Sequence, residues 1–249
     1  MLIYYFFTLI FGIVIGSFLN VCIIRYQNKE SVVRGRSHCM SCNHQLEPLD
    51  LIPIFSWLFL AGKCRYCKAK ISFRYPLIEA ITGLVFVFIF YKFQWTIYTP
   101  VYLLASCFLI VAAVIDIDIM IIPDRTHIIL IICSFIIAYF FPENIFSMLI
   151  GSICISIPLF VIAYLTKGIG YGDVKLMFSA GLLFGYKAII FIFVIGTILA
   201  SIYAIYQMRI KKANGKSEMS LGPHLILAIY LYLGFGNNLI NWYLTSFFN

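Results

Sequence analysis

Ten acidic residues stand in a chain of 249, and four of them fall in two short motifs. VIDIDIMIIPD (114–124) carries Asp116, Asp118 and Asp124, and KGIGYGDVKLM (167–177) carries Asp173 with Lys175 two residues on. Both motifs interrupt sequence that is otherwise mostly hydrocarbon. A charged side chain at the centre of a membrane helix costs roughly 2.5–3.5 kcal/mol, so such a carboxylate needs a partner or a task. Two carboxyls brought face to face from different helices cannot easily both ionise. They share one proton, and the pair can activate water and protonate a leaving amine. That is the chemistry of an aspartic protease working inside a membrane.

Plainer roles compete at each position. Asp124 follows Pro123 and opens a new apolar run, which is the place of a helix N-cap. Asp116 and Asp118 are two apart, so on a helix they point to roughly opposite faces and at most one easily faces the bundle interior. Asp173 also sits where a helix begins, and Gly170 and Gly172 let the backbone approach closely there. Lys175 either neutralises a carboxylate or snorkels to water. Glu79, at the mouth of the second span, is a candidate partner for loop arginines.

A second chemistry lies in HCMSCNH (38–44) and GKCRYC (62–67). Cys39-x-x-Cys42 and Cys64-x-x-Cys67 can each grip one side of a tetrahedral zinc ion. A loop this small builds little core of its own, and a metal supplies what burial cannot. Four thiolates leave no open coordination position, so such a metal is structural; redox-active thiols or a disulfide are the alternative reading of these pairs. His38 and His44 read as solvated loop residues. Cys22, Cys107, Cys133 and Cys154 lie in apolar stretches and read as small core residues.

The elements that position these groups follow from composition. The chain is 63% apolar and 11% charged, with a mean hydropathy of +0.99, against about half apolar and a quarter charged in an ordinary soluble domain. The expected fold class is therefore all-α, a polytopic membrane bundle of about eight helices with a small zinc-stabilised cytoplasmic loop. The spans are drawn at 2–24, 76–93, 97–117, 125–141, 145–165, 174–186, 188–208 and 223–247, the sixth of them short. This divides the chain into a first helix (1–24), a polar loop (25–75) and a bundle carrying the aspartates (76–249). The net charge of +8 would suggest nucleic acid in a soluble protein. Here every Lys and Arg except Lys92 and Lys187 falls on one side or at its helix ends. That bias marks the side as cytoplasmic, puts both termini outside, and makes membrane lipid rather than nucleic acid the partner. Between the cysteine pairs, LDLIPIFSWLFLAG (49–62) is apolar but too short and Pro-interrupted to span, so it is expected against the membrane face or the bundle.

GYGD also ends a potassium-channel filter, but Gly168 stands where the filter threonine belongs, Lys167 precedes it, and no separate pore helix leads in. A proton-coupled transporter could use the same carboxylates. Its usual midplane sites on broken helices and inverted repeats are not visible.

With these residues placed, the chain resembles the type IV prepilin peptidases, bifunctional leader peptidases and N-methyltransferases. The likeness rests on GSFLNV (16–21), both CxxC pairs, SFRYPLIEAITG (72–83), DIDIMIIPD (116–124) and GYGDVK (170–175), in order and nearly end to end. The resemblance implies that Asp116 and Asp173 are the catalytic aspartates, a choice over Asp118 that spacing alone leaves open. It further implies cleavage of a prepilin or pseudopilin after a glycine at the cytoplasmic edge of the bacterial inner membrane. Methylation of the new N-terminal residue by S-adenosylmethionine is implied too. No strand–GxGxxG–helix unit marks a site for that cofactor.

Overall fold

The computed structural model describes residues 1–32, 35–166, 168–210 and 219–248. Lys167, Lys211, Lys212, Lys216 and Arg34, counted above for the charge bias, lie outside the described residues. The described residues form helices and turns with no strand, as the composition led us to expect. They divide into two compact units, Met1–Cys107 and Phe108–Asn249.

In the first unit, α1 (Leu2–Gln27) and α3 (Arg74–Phe93) pack along their lengths. The contact is made by small residues. A Cβ on Gly12 would stand 2.8 Å from the Gly83 Cα, and one on Gly16 would stand 2.8 Å from the Glu79 Cα. Gly12 and Gly16 are thus a four-residue small-residue repeat that lets two backbones touch, which is how apolar helices associate where burial alone gives no drive. Buried Asn20 adds a polar tie, donating from Nδ2 to the Tyr75 carbonyl at 3.1 Å.

Among its described residues the polar segment between them holds only a short 3-10 turn (Pro48–Leu51) and one helical turn, α2 (Phe55–Phe59). Trp57 locks α2 down, its Nε1 donating to the Ile71 carbonyl at 3.1 Å. Phe55, Leu58 and Phe59 remain exposed, so this stretch presents an apolar face, as its sequence suggested.

The second unit contains the end of α4 (Tyr98–Ile119), α5 (Asp124–Phe140), α6 (Ile145–Cys154), α7 (Ser156–Thr166), α8 (Tyr171–Phe184), α9 (Tyr186–Ile210), α10 (Gly222–Leu231) and α11 (Asn237–Phe248). A five-residue π-helical segment, Tyr232–Gly236, joins the last two. Among the described residues six helical stretches are long and apolar enough to cross a membrane: 2–27, 74–93, 98–119, 142–166, 186–209 and 222–243. The two other expected spans are present as α5 and α8, of 17 and 14 residues.

Helix α8 is the centre of this unit, packed by α5, α6, α7 and α9. It meets α6 backbone to backbone at Gly151 and Gly181. A Cβ on Gly151 would lie against the Gly181 carbonyl and 2.6 Å from the Gly185 carbonyl carbon. Gly185 then ends α8 at φ 83°, a conformation that costs glycine nothing.

Candidate active site and metal centre

Asp116 lies in the last turn of α4, where the helix dipole disfavours an anion. Its side chain is only 5% exposed, and its Oδ2 is buried without a hydrogen-bond partner. Asp118, two residues on, is exposed. The two therefore face opposite ways, as their spacing required, and burial distinguishes Asp116. After Ile119 the chain reverses through Met120 at φ 55° and carries Ile122 back inward, where it is buried.

Asp173 is the third residue of α8, in its first turn, and 9% exposed. Its backbone N–H donates to the Gly170 carbonyl at 3.1 Å, and its Oδ1 is likewise buried without a hydrogen-bond partner. The Asp116 and Asp173 carboxyls are near enough to act on one another electrostatically. An unpaired buried polar atom costs about 1–3 kcal/mol, so two in one place indicate a site built for an incoming group rather than for stability.

Glycines frame this pair, and two of the framing residues were not singled out in the sequence. A Cβ on Gly222, the first residue of α10, would come within 2.5 Å of Asp116 Oδ2. Its backbone N–H acts on the same carboxyl. Ile122 lies between, 3.1 Å from that Gly222 Cβ position and 3.3 Å from the equivalent position on Gly172. Gly170 leaves 3.4 Å between a Cβ and Asp173 Oδ2. The only sequence signal for Gly222 is a Gly-Pro pair opening an apolar run.

Two expectations are corrected here, for Asp124 and Glu79, and both readings of Lys175 hold. Asp124 is not an N-cap: Pro123 holds that place, and Asp124 is the first helical residue of α5 with no capping bond. Its carboxylate accepts from Lys175 Nζ at 2.7 Å, which ties α5 to α8 and holds Asp124 below the usual carboxylate range. Lys175, with its side chain 57% exposed, thus both reaches water and makes an ion pair. Among the described residues Glu79 pairs with no loop arginine; it accepts from the Ile54 N–H at 2.7 Å and from the Ser17 hydroxyl.

In the other unit, Cys39, Cys42, Cys64 and Cys67 converge, with their sulfurs all within 4.8 Å of one another. The two pairs adopt the same turn. Asn43 and Lys68, each just after the second cysteine, have φ 55° and 60°. Backbone bridges join His38 to Gln45 and Lys63 to Lys70, seven residues apart in both. The Cys39 and Cys67 sulfurs are 3.8 Å apart, and a tetrahedron with Zn–S bonds of about 2.3 Å has edges of about 3.8 Å. The four thiols therefore form a donor set of the size and chemistry that could hold a zinc ion. The backbone N–H groups of Cys42 and Ser41 bring the Cys39 thiol down to about 6, so a thiolate is available at neutral pH to start coordination. His38 and His44 are outside this set, and the His44 ring lies on Tyr66 at 3.7 Å between centroids.

A chain of apolar, membrane-type helices with a buried pair of carboxyls and a cluster of four thiols is the class these features define. Residues 10–93 match the model of the bacterial peptidase A24 N-terminal domain, and residues 103–205 that of the type IV leader peptidase family. A prepilin leader peptidase/N-methyltransferase from Bacillus subtilis is 30% identical over 94% of this chain and 96% of its own length. Proteins of the same description from Aeromonas hydrophila and Pseudomonas aeruginosa are 28% and 27% identical, covering 98% and 95% of this chain and 95% and 92% of their own lengths. No solved structure matches the chain. The chain belongs to the type IV leader peptidase family, and nothing found favours a transporter.

Proposed function

We propose that this protein is a membrane-embedded aspartic endopeptidase that removes the leader of type IV prepilins or pseudopilins after a glycine, and then methylates the new N-terminal residue. The observation that carries the first half is the buried pair Asp116 and Asp173, each with an oxygen left without a partner. One carboxyl is ionised and takes a proton from water; the other is protonated and polarises the scissile carbonyl. The amide then breaks without a covalent intermediate, and the proton returns to the leaving amine. Apparent pKa values of the activity belong to the pair and not to either residue.

The family membership and the names of the relatives support the second half. S-adenosylmethionine supplies an electrophilic methyl group on a sulfonium. The zinc-binding cysteines hold the polar loop, and the site sits at the cytoplasmic edge of the bacterial inner membrane with both termini outside, as the charge bias directs. A prepilin's own hydrophobic helix enters sideways from the lipid.

Cleavage of a purified prepilin in detergent tests the aspartate pair. Asp116→Asn and Asp173→Asn are each expected to abolish cleavage, while Asp118→Asn stays active. Cleavage by both of the first two variants would end the protease reading.

A further inference from the structure

Unit one contains a cavity of about 420 Å³ between α1, α2, the zinc loop and the start of α3, within the roughly 300–1,000 Å³ typical of small-molecule sites. The proposed peptidase chemistry uses none of it. Val21, Ile24, Trp57 and Leu60 supply an apolar wall. Three charged or polar side chains, each more than nine-tenths buried, line the rest: Asn20, Arg25 and Glu79.

Glu79 is the unusual member. Its two bonded partners, the Ile54 N–H and the Ser17 hydroxyl, are both neutral. A carboxyl buried with neutral donors alone is costly to ionise, and a cation brought beside it offsets that cost. Arg25, whose guanidinium donates to the carbonyls of Ser31, Val32 and Gly35, and Arg36 stand on the lining as well. The cavity thus offers a carboxyl, cations and an apolar wall with Trp57 in it.

We infer that this cavity binds S-adenosylmethionine, with Glu79 facing its cationic sulfonium and amino end, the arginines its carboxylate, and the apolar wall its adenine. The assignment rests on the methyltransferase half of the proposed function. It also explains why Ile54 and Ser17 both donate to Glu79: they fix the carboxylate without neutralising it. The zinc then has a job beyond holding its own loop, since Cys39 and Cys64 form part of the same lining.

The test compares two ligands that differ by one charge. S-adenosylmethionine is a sulfonium, and S-adenosylhomocysteine is a neutral thioether of nearly the same shape. Calorimetric titration of the zinc-loaded full chain in detergent should show both binding. Glu79→Gln should weaken S-adenosylmethionine by about tenfold or more, as expected for a lost hydrogen bond or contact to a charged group. S-adenosylhomocysteine should change far less. Equal affinities for wild type and variant with both ligands would overturn the site while leaving the methyltransferase reading intact. A wild-type chain that cleaves prepilin but binds neither ligand would overturn both. Should the variant not fold, ultraviolet cross-linking of methyl-labelled S-adenosylmethionine to the wild type decides: label within residues 17–25 or 36–79 supports the cavity, and label confined to residues 108–249 refutes it.

Discussion

Replacing Gly222 with alanine should inactivate the protease while leaving it folded. The added Cβ would stand 2.5 Å from Asp116 Oδ2 and 3.2 Å from its Cγ, with Ile122 Cδ1 at 3.1 Å on the other side. Ordinary contact for a Cβ begins near 3.4 Å. The carboxyl must therefore retreat by about 0.9 Å, and the Ile122 contact, itself tight, leaves the new methyl little room to move instead. A misplacement of about 1 Å in a catalytic geometry costs on the order of 100-fold, or about 2.7 kcal/mol of barrier. Overpacking costs the fold about 1–3 kcal/mol, which a bundle of this size can absorb. The assay is kcat/KM for a purified prepilin in detergent, read beside the thermal unfolding midpoint. Gly168→Ala is the control, because a Cβ there meets only Thr166 Oγ1 at 3.5 Å; it should cleave within about threefold of wild type, the range of a harmless surface change. If Gly222→Ala also cleaves within that range, Asp116 is not held in the reacting geometry described here. If both variants are equally dead, a general need for glycine, rather than the position of the carboxyl, explains the loss.

Other expectations concern the metal and the packing. Cys64→Ser, or a strong chelator, should remove the zinc and open the loop to proteolysis between residues 36 and 72, since structural zinc contributes about 10–16 kcal/mol in small metal-dependent domains; metal analysis showing no zinc in the wild type would contradict this. Gly181→Ala should destabilise the chain by about 3 kcal/mol, the top of the usual range for overpacking, because the atoms it meets are the backbone of Gly151 and cannot rotate away; unchanged denaturant unfolding would refute that packing. Asp124→Asn should reduce cleavage only a few-fold, because both partners of the Asp124–Lys175 pair are largely exposed. The pair holds the Asp124 carboxyl below its unfolded value. Its contribution is therefore full above about pH 4 and disappears as pH falls through the folded value, so wild type and variant should converge in acid.

Much of the molecule was legible from its residues, for physical reasons that also explain what was missed. Apolar runs and turn residues located the helices, six of which, among the described residues, are long and apolar enough to cross a membrane. The cysteine pairs declared their purpose because a tetrahedral ion needs two close pairs, and that pattern is local. Asp116 against Asp118 was not local: spacing showed that they diverge, but only the packed bundle decides which face is inside. Gly222 and Ile122 are further beyond reach, since their role comes from meeting Asp116 and Gly172 in space. Asp124 read as a cap because Pro123-Asp124 fits that pattern equally well. Only the approach of Lys175, 51 residues away, reveals the other role.

Helix α8 has 14 residues, and at 1.5 Å per residue it is about 21 Å long. Its neighbours in the unit include the stretches 142–166 and 186–209, both long enough to cross a membrane. A hydrocarbon layer of about 30 Å around them is about 9 Å thicker than α8 is long, so an end of α8 lies below the water boundary unless the layer thins there or the surrounding protein opens a path. Asp173 stands at one of those ends. Acyl-chain length then becomes a variable of the reaction as real as substrate concentration. In short-chain lipid the carboxyl would meet the water boundary readily; in long-chain or sterol-stiffened lipid it would be drowned. A detergent micelle, which wraps whatever length it is given, would hide the difference altogether.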